Sequence, residues 1–405
     1  MPRAIRQHPQ DGLVISASWS VLLRVQISNV TVNQTGNWPV FRKNWRVALP
    51  DRPFKLYSEP QPVPNTPENV LSSGVTEEQV LKAVESSGYP LQTVVARILR
   101  PHFTIYPEWG YLDRVTGNMR AIDIVATTEL YPPADVNKHR IRPELALIVE
   151  CKQSKLPYVF FELPEPGGLL HDFPLVSGLP HGSIDIATDD THSHWVLPVL
   201  TALDLDKEQF MAAPNNCATL SKCVRKGGSD LVLSGSESYE SVVQPLRSAI
   251  EHFRVRHESR PLRFNSAILT IGLAVLDAPM VTVDVDDDGK SSATLTPWVR
   301  LWRHEPPGEE RMVRQGRGDV TAIDFVHQSF LEEYLEGHLF PFSRLYASRC
   351  VNHDVEIATG EAFATRLREK SWFDIEERLS PRENPAVRAR SFSKGFLRTI
   401  KRNRL

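Results

Sequence analysis

Leu145-Ala146-Leu147-Ile148-Val149-Glu150-Cys151-Lys152 decides the fold of this chain. Five apolar residues run without a break into a charged pair, the pattern of a central strand buried on both faces. Side chains alternate across a strand, so Glu150 and Lys152 share one face and Cys151 takes the other. Upstream, residues 120–128 read as a second strand alternating around Ile122 and Ile124, with Asp123 between them. A charge in that position is costly unless it is paired or metal-bound. Residues 103–109 make a third strand pattern, aromatic and β-branched, which Pro107 confines to an edge or a bulge.

Helices flank this segment. Thr76 and Gln79 form a capping box, and Val80, Leu81 and Val84 follow at helical spacing until Gly88. Pro90 opens the next helix, where a missing N–H costs nothing. Leu91, Val94, Val95, Ile98 and Leu99 give it an apolar face, and Pro101 ends it. After the central strand, residues 154–238 read as an irregular insertion. It holds short helices at 195–203 and 207–213 and a Gly/Ser loop at 227–238. A helix over 239–253 follows, kinked or opened by Pro245. Strands are expected at 267–276, 280–285, 298–303 and 320–326, then a helix over 330–339 that Pro341 stops. The order is helix, three strands, insertion, helix, strand. It specifies an α/β fold with a central mixed sheet flanked by helices. The organisation expected is an N-terminal arm at 1–65, a domain at 66–350, and a C-terminal segment at 351–405.

The chain has 405 residues, with Lys+Arg 47 against Asp+Glu 49 and a net charge of -2. That balance excludes wholesale disorder and a uniformly basic nucleic-acid coat. Cys151, Cys217, Cys223 and Cys350 show no C-x-x-C pair, so neither a disulfide framework nor a zinc cluster is expected. No uninterrupted apolar stretch reaches membrane-spanning length. Residues 12–30 carry Arg24 and Gln26 and make a poor signal peptide, so a cytoplasmic setting is expected.

Asp123 and Glu150, brought together on neighbouring strands, repel one another. A hard divalent cation, Mg²⁺ or Mn²⁺, removes that repulsion, and the Cys151 carbonyl rather than its sulfur adds a third oxygen. Lys152 beside them can orient or deprotonate a water, or offset developing charge on a phosphate. Removing Asp123 is expected to relieve the repulsion and leave the fold intact.

Asp123 followed by Glu150-Cys151-Lys152 resembles the PD-(D/E)XK nucleases of the restriction-endonuclease-like superfamily. Gly88-Tyr89-Pro90-Leu91 opening a helix, the strand near Trp109 and residues 119–125 fall in that family's order. The resemblance covers roughly residues 76–155. It implies a restriction-endonuclease-like sheet and metal-dependent hydrolysis of phosphodiester bonds in DNA. Asp123 and Glu150 would bind Mg²⁺ or Mn²⁺, and Lys152 would assist the attacking water. Many relatives carry a helical Glu where this chain has Gln92, so Gln92 or Glu85 completes the shell. The alternative is a non-catalytic nucleic-acid- or protein-binding module on a degenerate nuclease fold, with the triplet kept as an ion pair.

Weaker patterns favour plain readings. Asp284-Val285-Asp286-Asp287-Asp288-Gly289 opens like a calcium loop but lacks its closing Glu, so a hairpin turn is expected. His181, His192 and His194 with Asp185, Asp189 and Asp190 lie in polar, irregular sequence and read as a solvated loop. From Arg388 to Leu405 the tail is basic, a candidate for phosphate contacts with DNA.

Overall fold

The computed structural model describes residues 63–113, 116–131, 139–162, 173–188, 194–228, 230–258, 264–304, 320–364 and 379, all within the unit Gln61–Leu405. Most of the expected N-terminal arm and the whole basic tail lie outside the described residues, as do Asp189, Asp190 and His192.

The meander is β1 (Thr104–Leu112), β2 (Met119–Glu129) and β3 (Ile141–Gln153), with antiparallel neighbours. β1 is the sheet's outer strand, the place that Pro107 requires. β3 starts four residues before its apolar run and includes Pro143, whose carbonyl accepts the Leu130 N–H at 2.9 Å. A residue's N–H and C=O point to the same side of a strand, so Pro143 turns its missing donor towards β2, at the end of that ladder.

Helix α1 (Glu77–Glu85) has its capping box complete: Thr76 and Gln79 each accept the other's backbone N–H. None of its residues is buried. Helix α2 (Tyr89–Leu99) starts at Gly88-Pro90 and buries Leu91, Val95 and Leu99 against the sheet.

The insertion at 154–238 is not irregular. It contains β4 (Tyr158–Glu162), β5 (Leu175–Ser177), β6 (Ser183–Thr188), β7 (His194–Pro198), β8 (Asn215–Lys226) and β9 (Asp230–Ser234). The helices expected there shrink to single turns, Val199–Ala202 and Gln209–Ala212. In β8 only Cys217, Leu220, Ser221 and Cys223 are buried among polar residues, too few to show a strand period. Downstream come β10 (Asn265–Asp277), β11 (Met280–Val285), β12 (Ser291–Leu295), β13 (Trp298–His304), β14 (Val320–His327) and β15 (Glu361–Ala364).

Twelve strands form one sheet, ordered β1-β2-β3-β10-β14-β13-β8-β4-β11-β12, with β5 beside β10 and β9 beside β8. β3, β10 and β14 run parallel. β15, β6 and β7 form a second sheet. One face of the large sheet is covered by α2 and by α4 (Phe340–Asn352). The other is covered by α3 (Gln244–Arg256), through Leu246, Ala249 and Phe253. The fold is therefore α/β, a large mixed sheet flanked by helices. Gly272 on β10 lets α3 sit close, since a Cβ there would fall 2.6 Å from Ile250 Cδ1.

Pro245 opens its helix, one of the two roles expected of it, whereas Pro341 does not end the helix expected over 330–339. Each sits in the first turn of its helix, α3 or α4, directly after a π-helical segment, Tyr239–Val243 or Tyr334–Leu339. The wider upstream turn accommodates the ring and the absent donor. The Asp284–Gly289 motif is the hairpin turn between β11 and β12, where Asp286 Oδ1 accepts the N–H groups of Asp288 and Lys290 at 3.1 and 2.7 Å.

Beyond β10 in the same sheet, Arg300 and Asp324 face each other across β13 and β14 with no exposure. Two N–H···O bonds of 2.7 and 3.0 Å join them. Nη1 of Arg300 donates to the carbonyls of Phe210 and Met211, and the Tyr334 hydroxyl donates to Asp324. Breaking this pair should leave a buried guanidinium uncompensated. Asp324→Ala should lose about 3–5 kcal/mol in urea unfolding, whereas Asp287→Ala, exposed in the turn between β11 and β12, should stay within about 0.5 kcal/mol.

Candidate active site

The β2–β3 ladder runs from Glu129↔Glu144 to Ile124↔Val149 and stops, while β3 continues along β10 to Gln153. Asp123 stands at the fork. Its Oδ2 accepts the Cys151 N–H at 2.7 Å, so the carboxylate occupies the rung that β2 no longer supplies. The Cys151 carbonyl points to the same side as its N–H and faces the same gap.

The expected alternation around Ile122 and Ile124 fails at Asp123. Ile122 packs into the core on the α3 face, and Ile124 into the core on the α2 face. β1 flips likewise, with Ile105 towards α2 and Trp109 and Tyr111 towards α3. The register pairs Pro107 with Ile124 and Trp109 with Ile122, so the rung between them, Glu108 opposite Asp123, is missing. Glu108 has φ 49, the left-handed region that side chains rarely adopt. Gln92 reaches this rung from α2. Its Nε2 donates to the Asp123 carbonyl at 2.9 Å and to Glu108 Oε1 at 2.8 Å.

Glu150 and Lys152 share the α3 face of β3, as alternation requires. They form an ion pair of 2.5 Å, with the Glu150 side chain 7% exposed and Lys152 30%. Among the described residues, Glu150 Oε2 is buried with no hydrogen bond of good geometry, although the Asp123 main-chain N–H lies close enough to the carboxylate to stabilise its charge. Burial pushes the Glu150 carboxyl up to about 7; nearby Asp123 adds to the rise and Lys152 opposes it. Asp123 is also raised, by burial and by Glu108, against the Cys151 N–H and Lys152. Desolvation pulls the Lys152 ammonium down, but Glu150 and then Asp123 outweigh it and hold its pKa above the usual value. The Cys151 thiol is pushed well up by burial and both carboxylates, so its sulfur is a poor ligand.

The structure thus brings together Asp123, Glu150, Lys152, Gln92 and the main chain of Cys151. Glu85 is exposed on α1, and nothing places it at the fork. Gln92 enters as an amide donor to Glu108 and Asp123 rather than as an oxygen ligand. Glu108 was legible only as an acid inside an aromatic strand pattern, and its part depends on a rung that no periodicity predicts. His181 is exposed, and among the described residues no group of three or more His, Cys, Asp or Glu side chains stands close enough to cage a metal.

Two carboxylates and a carbonyl are hard oxygen donors, and the buried Glu150 oxygen, with no well-formed hydrogen bond among the described residues, suits a divalent cation. No protein-family model, curated protein or solved structure matches the chain. Among the described residues no helix is long and apolar enough to cross a membrane.

The Asp123–Cys151 bond revises the expectation that Asp123 is dispensable to the fold. Asp123→Ala orphans the Cys151 N–H and should cost about 1–3 kcal/mol in thermal or urea unfolding. Asp123→Asn keeps an acceptor oxygen and should lose clearly less.

Proposed function

We propose that the chain is a metal-dependent nuclease of the PD-(D/E)XK type that hydrolyses phosphodiester bonds in DNA. One observation carries the reading: a buried Glu150 oxygen with no well-formed hydrogen bond among the described residues lies beside Asp123, at the fork where the β2–β3 ladder ends. The antiparallel meander that continues into the parallel strands β10 and β14 supports a restriction-endonuclease-like sheet. The fork lies at the carboxyl ends of the parallel strands β3 and β10, where open α/β sheets place their ligands.

Asp123, Glu150 and the Cys151 carbonyl would hold Mg²⁺ or Mn²⁺. The cation, when bound, supplies Lewis-acid polarisation of a phosphoryl oxygen. Lys152, fixed by Glu150, puts a positive charge where a phosphate would gather negative charge and can orient the attacking water. Asp123 is fixed through Oδ2 by the Cys151 N–H, a bond that does not use Oδ1. Gln92 holds the Asp123 main chain in place.

A second reading has an observation of its own. Lys152 and Glu150 are in direct contact, as they would be in a binding module that keeps the triplet as an ion pair. DNA cleavage separates the two. Purified protein should nick supercoiled DNA with Mg²⁺ or Mn²⁺ and stop in EDTA. Asp123→Asn should lose cleavage by about two orders of magnitude or more while remaining folded. Lys152→Gln should lose turnover but retain DNA affinity. A folded wild-type protein that binds DNA without cleaving it under any divalent cation would favour the binding module.

A further inference from the structure

The acids of the fork do not end with Asp123 and Glu150. Glu108 lies opposite Asp123 across the missing rung, exposed to solvent. Its backbone is held at φ 49 in a strand, a conformation that glycine adopts freely and a glutamate does not. Its side chain is not left to wander: Gln92 fixes Oε1 with the same amide nitrogen that holds the Asp123 carbonyl. The other carboxylate oxygen of Glu108 takes no part in that bond.

Charge points the same way. Asp123, Glu150 and Lys152 sum to one negative charge, and Glu108 brings the group to two, the charge that a divalent cation neutralises. The buried Oε2 of Glu150, with no well-formed hydrogen bond among the described residues, is the independent sign of a ligand beside Asp123. Glu108, Asp123 and Glu150 do not stand close enough together to cage a cation directly, and Mg²⁺ keeps several of its waters when protein binds it.

We propose that Glu108 is the third acidic group of the cation site, held by Gln92 and acting on the cation through its hydration shell. This rests on the reading of Asp123 and Glu150 as cation ligands. Gln92 is then a positioning residue, and its exchange of a helical acid for an amide is matched by an acid on β1.

Calorimetric titration of the full chain with MnCl₂ tests this without turnover. Glu108→Gln should bind Mn²⁺ about tenfold more weakly than wild type, and Gln92→Ala should weaken it in the same direction. Glu108→Asp, which keeps the charge, should retain most of the affinity, and Glu85→Gln should match wild type. Glu108→Gly removes the carboxylate while suiting the left-handed backbone, so it guards against a variant that fails for lack of folding. Wild-type affinity in both Glu108→Gln and Glu108→Gly, with binding lost in Asp123→Asn, would overturn the role of Glu108 and leave the nuclease reading standing. A wild-type protein that takes up no Mn²⁺ would overturn both.

Discussion

The thirteen-residue parallel pairing of β3 with β10, from Ile141↔Asn265 to Gln153↔Asp277, is what the remaining structure is built on. Parallel strands need both faces covered, because their crossovers lay helices over them. β3 accordingly sends Leu145, Leu147, Val149 and Cys151 into one core and Ala146 and Ile148 into the other. α2 and α4 close the first face and α3 the second. Every element near the site takes its position from one of those two faces.

The pairing also creates the fork. β3 stays with β10 to its end, whereas β2 leaves β3 after Ile124. A strand that loses a neighbour exposes main-chain donors and acceptors, and buried ones must find partners. Here the Asp123 carboxylate takes the Cys151 N–H, and the Gln92 amide takes the Asp123 carbonyl. Side chains replace the missing backbone rungs, and acidic groups are gathered where the sheet opens.

Two ion pairs in the chain differ in a way that separates support from chemistry. Arg300–Asp324 is sealed, and carbonyls and a tyrosine hydroxyl supply its further hydrogen bonds. Such a network rigidifies, and it ties β13 and β14 to the segments at Phe210 and Tyr334. Lys152–Glu150 is half open, with one carboxylate oxygen buried and unsatisfied and a second carboxylate nearby. An unsatisfied buried carboxylate oxygen costs the fold free energy, and it is this cost that the proposed cation would relieve.

The sequence by itself determined the meander, its edge strand, the helices on either side and the shared face of Glu150 and Lys152. Each rests on local rules: capping at Thr76, proline geometry at Pro90 and Pro107, and alternation in β3. It did not determine β8, whose polar residues hide a strand stabilised by its neighbours β4, β9 and β13. For Pro245 it left open whether the ring kinks or opens the helix, and for Pro341 it expected a stop; neither π-helical segment before them was legible. Asp123 was visible as a costly charge, but its bond to Cys151 and its link through Gln92 to Glu108 were not. Those contacts join residues 16 to 31 positions apart at a break in strand pairing. A periodic pattern encodes which face a residue takes, and only tertiary structure decides where the pattern stops.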